Sequence, residues 1–483
     1  MYDDVPLVVD LDGTLVYCDT LHDSLWLMAR ARPLSLAGLP YALSSGKAPF
    51  KQFVAGQSQL DVRTLPYNEW VLRRIREAAG RRRVVLCTGA NQRIADDVAA
   101  HIGAFDLVIG SDGTSNLTGE AKASRLVQLF GERGFDYVGN SIADMPVFRQ
   151  ARHAVVANPA SALLRRISEI GNLSEQEVRG PAALNALLSA MRPHQWLKNI
   201  LVFAPLLTAT GVEQARGLLA ALLAFLSFSL VASSVYLAND LMDLEADRRH
   251  PRKRGRPLAA GTLSVPIAVL GALGLLVGGF GIGWQLEQRF VAVLGAYVLA
   301  TGIYMVKLKR VPILDSIVLA SLYTLRIIGG AAAIAVIPSF WLLAFSVFFF
   351  MSLALGKRYA ELVELESAGT AKAIPGREYR PEDLQTLLAQ GNATGCAAVV
   401  VLALYIHSGL EPGQYRHPEL LWALCLVLLY WISKFWLNAQ RREVIGDPVI
   451  WAATNRVSRG LAVLAVLLVM AARWLPESAL SLW

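Results

Sequence analysis

Apolar and polar positions follow two different rhythms along this chain of 483 residues. Up to about residue 190 the apolar runs are short and β-rich: Leu7-Val8-Val9, Val84-Val85-Leu86-Cys87, Leu107-Val108-Ile109, Tyr137-Val138 and Ala154-Val155-Val156. Stretches rich in Arg, Glu and Ala separate them, as in NEWVLRRIREAAGRRR at 68–83. Strands alternating with helices predict a parallel sheet with helices on both faces, an α/β domain over 1–180. Between about 16 and 66 the rhythm gives way to helical, aromatic-containing sequence, expected to form a small helical cap inserted after the first strand.

After a linker at 181–191 the pattern changes. Long apolar runs appear near 199–210, 217–237, 264–284, 290–306, 312–336, 339–356, 393–409, 419–437 and 460–474. Most approach the ~20 residues that cross a hydrocarbon core. Small residues, as in GALGLLVGGFGIG, suit close helix packing in lipid. Residues 192–483 are therefore expected to form an all-α polytopic membrane domain of about nine transmembrane helices. The composition agrees: 54% hydrophobic and 17% charged, against roughly 25% charged in soluble domains. A mean hydropathy of +0.42 excludes a purely soluble or intrinsically disordered chain.

The net charge of +8 fits membrane loops better than a nucleic-acid surface, and no nucleic-acid partner is expected. One side of the membrane domain collects Arg248, Arg249, Arg252, Lys253, Arg254, Arg256, Lys307, Lys309, Arg310, Lys357 and Arg358. The same side continues with Lys372, Arg377, Arg380, Lys434, Arg441, Arg442, Arg456 and Arg459. The other side has Arg216, Arg289, Arg416 and Arg473. This asymmetry predicts an integral protein of the inner or plasma membrane, with the N-terminal domain and its polar loops in the cytoplasm. Cys18, Cys87, Cys396 and Cys425 form no CxxC pair, so neither a zinc site nor a disulfide framework is indicated. The acidic start MYDDVPLVVDLDGT lacks the basic and long apolar regions of a signal peptide.

The first strand runs into VVDLDGTL, with Asp10, Asp12, Gly13 and Thr14. A carboxylate at the C-terminal end of a strand can attack a phosphoryl group, and a second one two residues on can protonate the leaving alcohol. Further along stand CTGA with Thr88, LTGEAK with Lys122, and GNSIAD with Asn140 and Asp144. In this order the four motifs resemble the haloacid-dehalogenase superfamily of Rossmann-like phosphatases. The resemblance implies that Asp10 is the nucleophile and Asp12 the acid/base. It implies that Thr88 and Lys122 hold phosphate, and that Asp10, Asp12, Asn140 and Asp144 surround Mg²⁺. The family usually has an acid where Asn140 stands; an amide keeps an oxygen but brings no charge, so metal affinity should fall.

The second long run ends in NDLMDLEAD, with Asn239, Asp240, Asp243 and Asp247. Offsets of 3, 4, 7 and 8 share one helix face, so these groups are expected to converge. Carboxylates at a membrane interface are costly unless a cation binds them, and hard oxygens suit Mg²⁺ gripping substrate phosphates. The basic RRHPRKRGRPLAAG follows, bringing Arg254 and Arg256. Together these motifs resemble the UbiA superfamily of intramembrane prenyltransferases. Its aromatic prenyltransferases carry a second aspartate-rich cluster, but here VPILDSIVLASLYTLRIIGG leaves only Asp315 and adds Arg326. MRPHQWLKNILVFAPLL, YLAND, HPRKRGRPLAAG and LALGKRYAEL look instead like the polyprenyl-phosphate phosphoribosyltransferase branch.

That likeness implies Mg-dependent transfer of 5-phosphoribose from phosphoribosyl pyrophosphate to a polyprenyl phosphate. Asp240 and Asp243 would be catalytic, with Asn239 and Asp247 completing the metal set. Arg254 and Arg256 would bind phosphate beside the acids. Lys198, Arg326, Lys357 and Arg358 would supply cations for the lipid phosphate; Tyr359 and Glu361 are weaker candidates. The product keeps a 5-phosphate, which gives the fused phosphatase a candidate substrate. Two other readings stand beside this one. One is transfer of a prenyl group from prenyl diphosphate to an aromatic or other small acceptor. The other is a non-catalytic lipid-binding protein with a docking domain.

Overall fold

A computed structural model describes residues 5–158, 161–177, 183–208, 214–368, 377–410, 415–444 and 446–476. Lys372, placed above among the basic loop residues, lies outside them. The described chain falls into two compact units. One contains Met1–Met191 with Tyr236–Leu273, and the other Arg192–Val235 with Gly274–Trp483.

The first unit opens with β1 (Leu7–Val9) and then leaves the sheet for the helical cap. The cap comprises α1 (Thr20–Ala31), a 3₁₀ turn at Pro33–Gly38, α2 (Leu39–Ser44) and α3 (Lys47–Gln57). Asp19 starts α1 by accepting hydrogen bonds from the Leu21 and His22 amides, which would otherwise be unpaired at the helix end. The chain returns through α4 (Glu69–Ala78), β2 (Val84–Asn91), α5 (Gln92–Ile102), β3 (Leu107–Ser111), α6 (Glu120–Phe130) and β4 (Asp136–Gly139). It continues with α7 (Met145–Gln150), β5 (Ala154–Val156), α8 (Ser161–Ile170), β6 (Leu173–Gln176) and α9 (Ala183–Met191).

All pairings are parallel, in the order β3-β2-β1-β4-β5-β6. Helices cover both faces, so even alternating strand positions are apolar. Leu7, Val9, Val84 and Leu86 pack on Val71, Ile75, Ile94 and Val98. Val8, Val85, Cys87 and Tyr137 pack on Leu126, Phe148 and Leu163. The five β-rich runs of the sequence are all strands. β6 (LSEQ) is an edge strand whose last three residues are exposed, so no apolar run marks it. The order turns at β1, which places the ends of β1, β2 and β4 at the point where ligands bind such sheets.

The rest of the chain is helical: α10 (Ala204–Thr208), α11 (Gln214–Met242), α12 (Leu244–Arg249), α13 (Val265–Gly283), α14 (Gln288–Val306) and α15 (Leu314–Ala333). There follow α16 (Phe340–Ala368), α17 (Leu384–Leu404), α18 (Trp422–Gln440), α19 (Pro448–Thr454) and α20 (Arg456–Trp474). Among the described residues, 8 helices are long and apolar enough to cross a membrane.

They account for eight of the nine expected runs. The remaining one, near 199–210, is instead a 3₁₀ helix at Pro193–Phe203 followed by the short α10, with 209–210 outside the described residues. Pro193 opens the 3₁₀ helix, and Asn199 within it is buried and hydrogen-bonded to Ser229 at 3.0 Å. Small residues permit close packing in the second unit: a Cβ on Gly330 would strike the Val202 carbonyl, and one on Gly391 the Trp436 ring.

Candidate functional site

The end of β1 builds the first site. Asp10 lies just beyond Val9, its amide bonded to the Val138 carbonyl at 3.0 Å. The chain then turns through Gly13, whose φ of 72° is a left-handed value. A Cβ there would run into the Asn140 amide. From α6, Lys122 reaches in, and its Nζ donates to Asp10 Oδ1 at 2.8 Å, to Asp144 Oδ1 at 3.0 Å and to the Tyr137 hydroxyl at 3.0 Å.

Thr88, within the C-terminal half of β2, is buried, and its Oγ1 accepts from the Ala90 amide. The Thr14 hydroxyl donates to Asn140 Oδ1 at 3.2 Å. Asp12 faces the cap and accepts from the Thr20 amide at 2.8 Å. Every residue named for this site from sequence thus lies at one edge of the sheet.

Burial sets the electrostatics. It pushes the Asp12 carboxyl up to about 8, with the Asp19 charge adding to the rise. It also lifts Asp10 to about 6, although Lys122 pulls the other way. For Lys122 burial works against the charge, yet Asp10 and Asp144 outweigh it and hold the ammonium above its ordinary value. A lysine bridging two carboxylates can hold a phosphoryl oxygen beside a carboxylate nucleophile.

The acidic motif straddles the end of α11. The helix stops at Met242, and Asp243 caps α12 with φ −95° and ψ 7°. The Asp243 and Asp247 amides still donate to the Asn239 and Asp243 carbonyls, at 2.9 and 2.8 Å, so the four groups keep helical offsets and meet in pairs. Asn239 Nδ2 donates to Asp243 Oδ2 at 3.2 Å. Asp240 Oδ1 and Asp247 Oδ2 accept from one atom, Arg256 Nη1, at 3.1 and 2.6 Å. The offsets of 4 and 7 thus pair Asn239 with Asp243 and Asp240 with Asp247. Burial raises the Asp247 pKa against the pull of Arg256. Arg254 is exposed.

Four cations expected to serve a lipid phosphate lie in the second unit, and they divide. Lys198 and Lys357 both address Asp447, at 2.5 and 3.6 Å. Arg326 is buried, bonded to Asn199 Oδ1 at 2.8 Å, to the Leu322 carbonyl and to the Tyr297 hydroxyl. Arg358 is wholly buried, paired with Asp315 at 2.6 Å and Glu361 at 2.7 Å. Asp315 also accepts from the Tyr379 hydroxyl, and Glu361 also pairs with Arg377.

Residues 200–444 match the UbiA prenyltransferase family. The chain belongs to that family. Residues 7–149 match the haloacid dehalogenase-like hydrolases, so a hydrolase-like domain precedes the UbiA domain. An uncharacterized protein y4nM of Sinorhizobium fredii is 36% identical over 94% of this chain and 88% of its own length. Nodulation protein NoeC of Azorhizobium caulinodans is 39% identical over 55% of this chain and 86% of its own. Decaprenyl-phosphate phosphoribosyltransferase of Mycobacterium tuberculosis is 38% identical over 41% and 68%. The two families make this chain an enzyme of the UbiA transferases joined to a hydrolase-type domain.

UbiA and haloacid dehalogenase-like proteins are generally Mg²⁺-dependent. Among the described residues, no three acidic, histidine or cysteine side chains group into a ready-made metal cage. Mg²⁺ does not need one: it commonly takes one or two carboxylates and completes its shell with water and substrate phosphates. Two such carboxylate pairs are present, each already converged on a cation: Asp240 and Asp247 on Arg256, Asp10 and Asp144 on Lys122. In kind and placement these donors fit the ion.

Sequence reasoning missed several residues that the fold brings in. Lys51 of the cap reaches the Gly89 carbonyl at 2.5 Å and Asn116 at 2.8 Å, beside Thr88. It lines a cleft of about 70 Å³ with Asp12, Thr20 and Asn91. Tyr137 and Asp447 carried no motif. Each was an ordinary residue until the fold placed it against a lysine.

Proposed function

We propose that the UbiA domain transfers 5-phosphoribose from phosphoribosyl pyrophosphate to a polyprenyl phosphate, and that the N-terminal domain hydrolyses the 5-phosphate of the product. The observation that carries this reading is the burial of Asp315. A prenyl diphosphate clamped between two acidic clusters would need a second one there, yet Asp315 is fully buried against Arg358 and Tyr379. One acidic motif suits a donor that brings one diphosphate. The name of the mycobacterial relative supports the same branch.

On this reading Asp240, Asp243 and Asp247, with Asn239 beside them, would hold Mg²⁺, which when bound would supply positive charge toward the pyrophosphate leaving group. Arg256 exchanges its two carboxylates for phosphate oxygens. Lys198 and Lys357 exchange Asp447 for the lipid phosphate, a trade of one anion for another. A phosphate oxygen of the lipid forms the new bond to the anomeric carbon while the bond to pyrophosphate breaks. The nucleophile is already ionised, so no side chain has to remove a proton.

In the N-terminal domain Asp10 attacks the 5-phosphate phosphorus, with Lys122 and Thr88 holding its oxygens. Asp12 gives the proton to the departing ribose hydroxyl and then takes one from the water that hydrolyses the aspartyl phosphate. The basic loops support placing both activities at the cytoplasmic face.

Labelled phosphoribosyl pyrophosphate with polyprenyl phosphate in detergent should yield labelled lipid and free pyrophosphate. Product from a prenyl diphosphate and an aromatic acid instead would overturn the assignment. Mass spectrometry of the lipid should show a phosphate-free ribosyl product with wild type and not with Asp10→Asn, and Asn140→Asp should hasten it.

A further inference from the structure

The tip of the cap exposes large apolar side chains that nothing among the described residues covers. Leu34 is 90% exposed, Tyr41 80%, Leu43 59% and Leu36 38%. They lie on the 3₁₀ turn and α2, within some ten residues of one another in sequence. A soluble surface rarely keeps such a cluster open to water without a use for it. The surrounding charge has one sign. From Arg30 to Gln57 the chain holds Arg30, Arg32, Lys47 and Lys51 and no Asp or Glu.

The cap is also fixed to the end of a membrane span. Trp26 Nε1 donates to the Leu241 carbonyl at 2.8 Å, and the span that contains Leu241 ends at Met242. One turn along α1, Arg30 lies 3.9 Å from Glu245. The helix ends at Ala31, and Leu34 stands three residues on, in the 3₁₀ turn. A second part of the same unit approaches a span independently: a Cβ on Gly271, in the first half of the span Val265–Gly283, would meet Leu187 of α9. Leu184 and Leu188 of that helix are exposed beside it. Two contacts thus join this unit to the spans Ala215–Met242 and Val265–Gly283.

We infer that the cap tip, through Leu34, Leu36, Tyr41 and Leu43, dips into the interfacial layer of an anionic bilayer. Leucines enter the acyl boundary, the Tyr41 ring takes the headgroup level that aromatic residues favour, and Arg30, Arg32 and Lys47 face lipid phosphates. The occupant is lipid because the patch continues from residues already bonded to a membrane span, and because the cap segment from Arg30 to Gln57 carries only cationic charge. The catalytic edge of the sheet, with Lys51 reaching from the same cap to Gly89, would then open next to lipid headgroups. This inference rests on the membrane domain alone and holds whichever substrate the two sites take.

The test uses the full chain with Cys396→Ser, the exposed thiol removed, in liposomes containing phosphatidylglycerol. A small fluorophore is attached at Leu34→Cys, at Tyr41→Cys or, as the control, at Glu132→Cys, an exposed position next to the opposite edge of the sheet. Nitroxide placed just below the lipid headgroups should quench the labels at 34 and 41 several-fold more than the label at 132. Aqueous iodide should show the reverse order. Equal lipid quenching at all three positions overturns the proposal. So does protection from both quenchers with self-quenching between labelled chains, which would assign the patch to a second copy. All three positions are exposed, so the labels leave the core untouched.

Discussion

Arg248 Nη1 lies 2.8 Å from Asp23 Oδ2, and each side chain is only 3% exposed. Asp23 belongs to α1, whose first amide, Thr20, holds the Asp12 carboxylate. Arg248 follows Asp247 of the acidic motif. One cap helix therefore touches the catalytic edge of the sheet at its start and, one turn later, the neighbour of a residue expected to serve the transferase.

Removing either partner strands a buried charge, at a cost of about 3–5 kcal/mol. Asp23→Ala and Arg248→Ala should each lower the unfolding temperature of the detergent-solubilised protein. The double variant Asp23→Leu with Arg248→Met should lose less than the sum of the singles. Additive losses would show that the ion pair is not what joins these elements.

Arg358 and the two lysines should behave differently. Arg358→Ala leaves Asp315 without its cation in the interior, while Glu361 keeps Arg377, so the expected result is loss of folded protein in a thermal scan. Lys198→Ala and Lys357→Ala should keep the unfolding temperature within a few degrees and raise KM for the lipid phosphate. A stable Arg358→Ala with raised KM would return Arg358 to the set of phosphate ligands.

Asp240→Asn removes one of two carboxylates that share Arg256. Transfer should fall by more than the roughly 10–100-fold typical of residues that only orient a metal ligand. Single-turnover release of pyrophosphate measures it, and near-wild-type turnover would dismiss the acidic motif as the diphosphate site.

Acid sensitivity should trace in part to Asp136. Burial alone would raise its pKa, but Arg152 and Arg82, at 2.8 and 2.5 Å, hold it below the ordinary carboxylate value. A carboxylate depressed in the folded state stabilises above its unfolded pKa of about 3.9 and loses that contribution as pH falls through its folded value. Asp136→Asn should therefore reduce stability at neutral pH and flatten the decline below about pH 4. Thermal scans between pH 3 and 7 read both effects.

Much of this was legible because it is local. The strand ends of β1, β2 and β4 carry Asp10, Thr88 and Asn140, and strand periodicity together with motif order places them at one edge. Lys122 joined them because α6 follows β3 in a fixed topology. Apolar length marked eight spans. Partner choice was not legible: Arg358 and Lys357 are neighbours in sequence, but one faces Asp315 in the interior and the other Asp447. Helical offsets pair Asn239 with Asp243 and Asp240 with Asp247, but they give no hint of the Arg256 that joins the second pair. The run at 199–210 differs because apolar length alone does not distinguish one continuous span from a 3₁₀ helix followed by a short α-helix.

The membership of Tyr236–Leu273 in the same unit as the N-terminal domain bears on how such a chain can be inherited. Trp26, Asp23 and Arg30 all bind that segment. A gene split after α9 would leave an unpaired arginine next to the acidic motif, and a cap surface shaped for a partner no longer encoded beside it. Fission of the two domains would thus require compensating changes at residues 23, 26 and 248 first. Fusion, once those contacts had formed, would be hard to reverse.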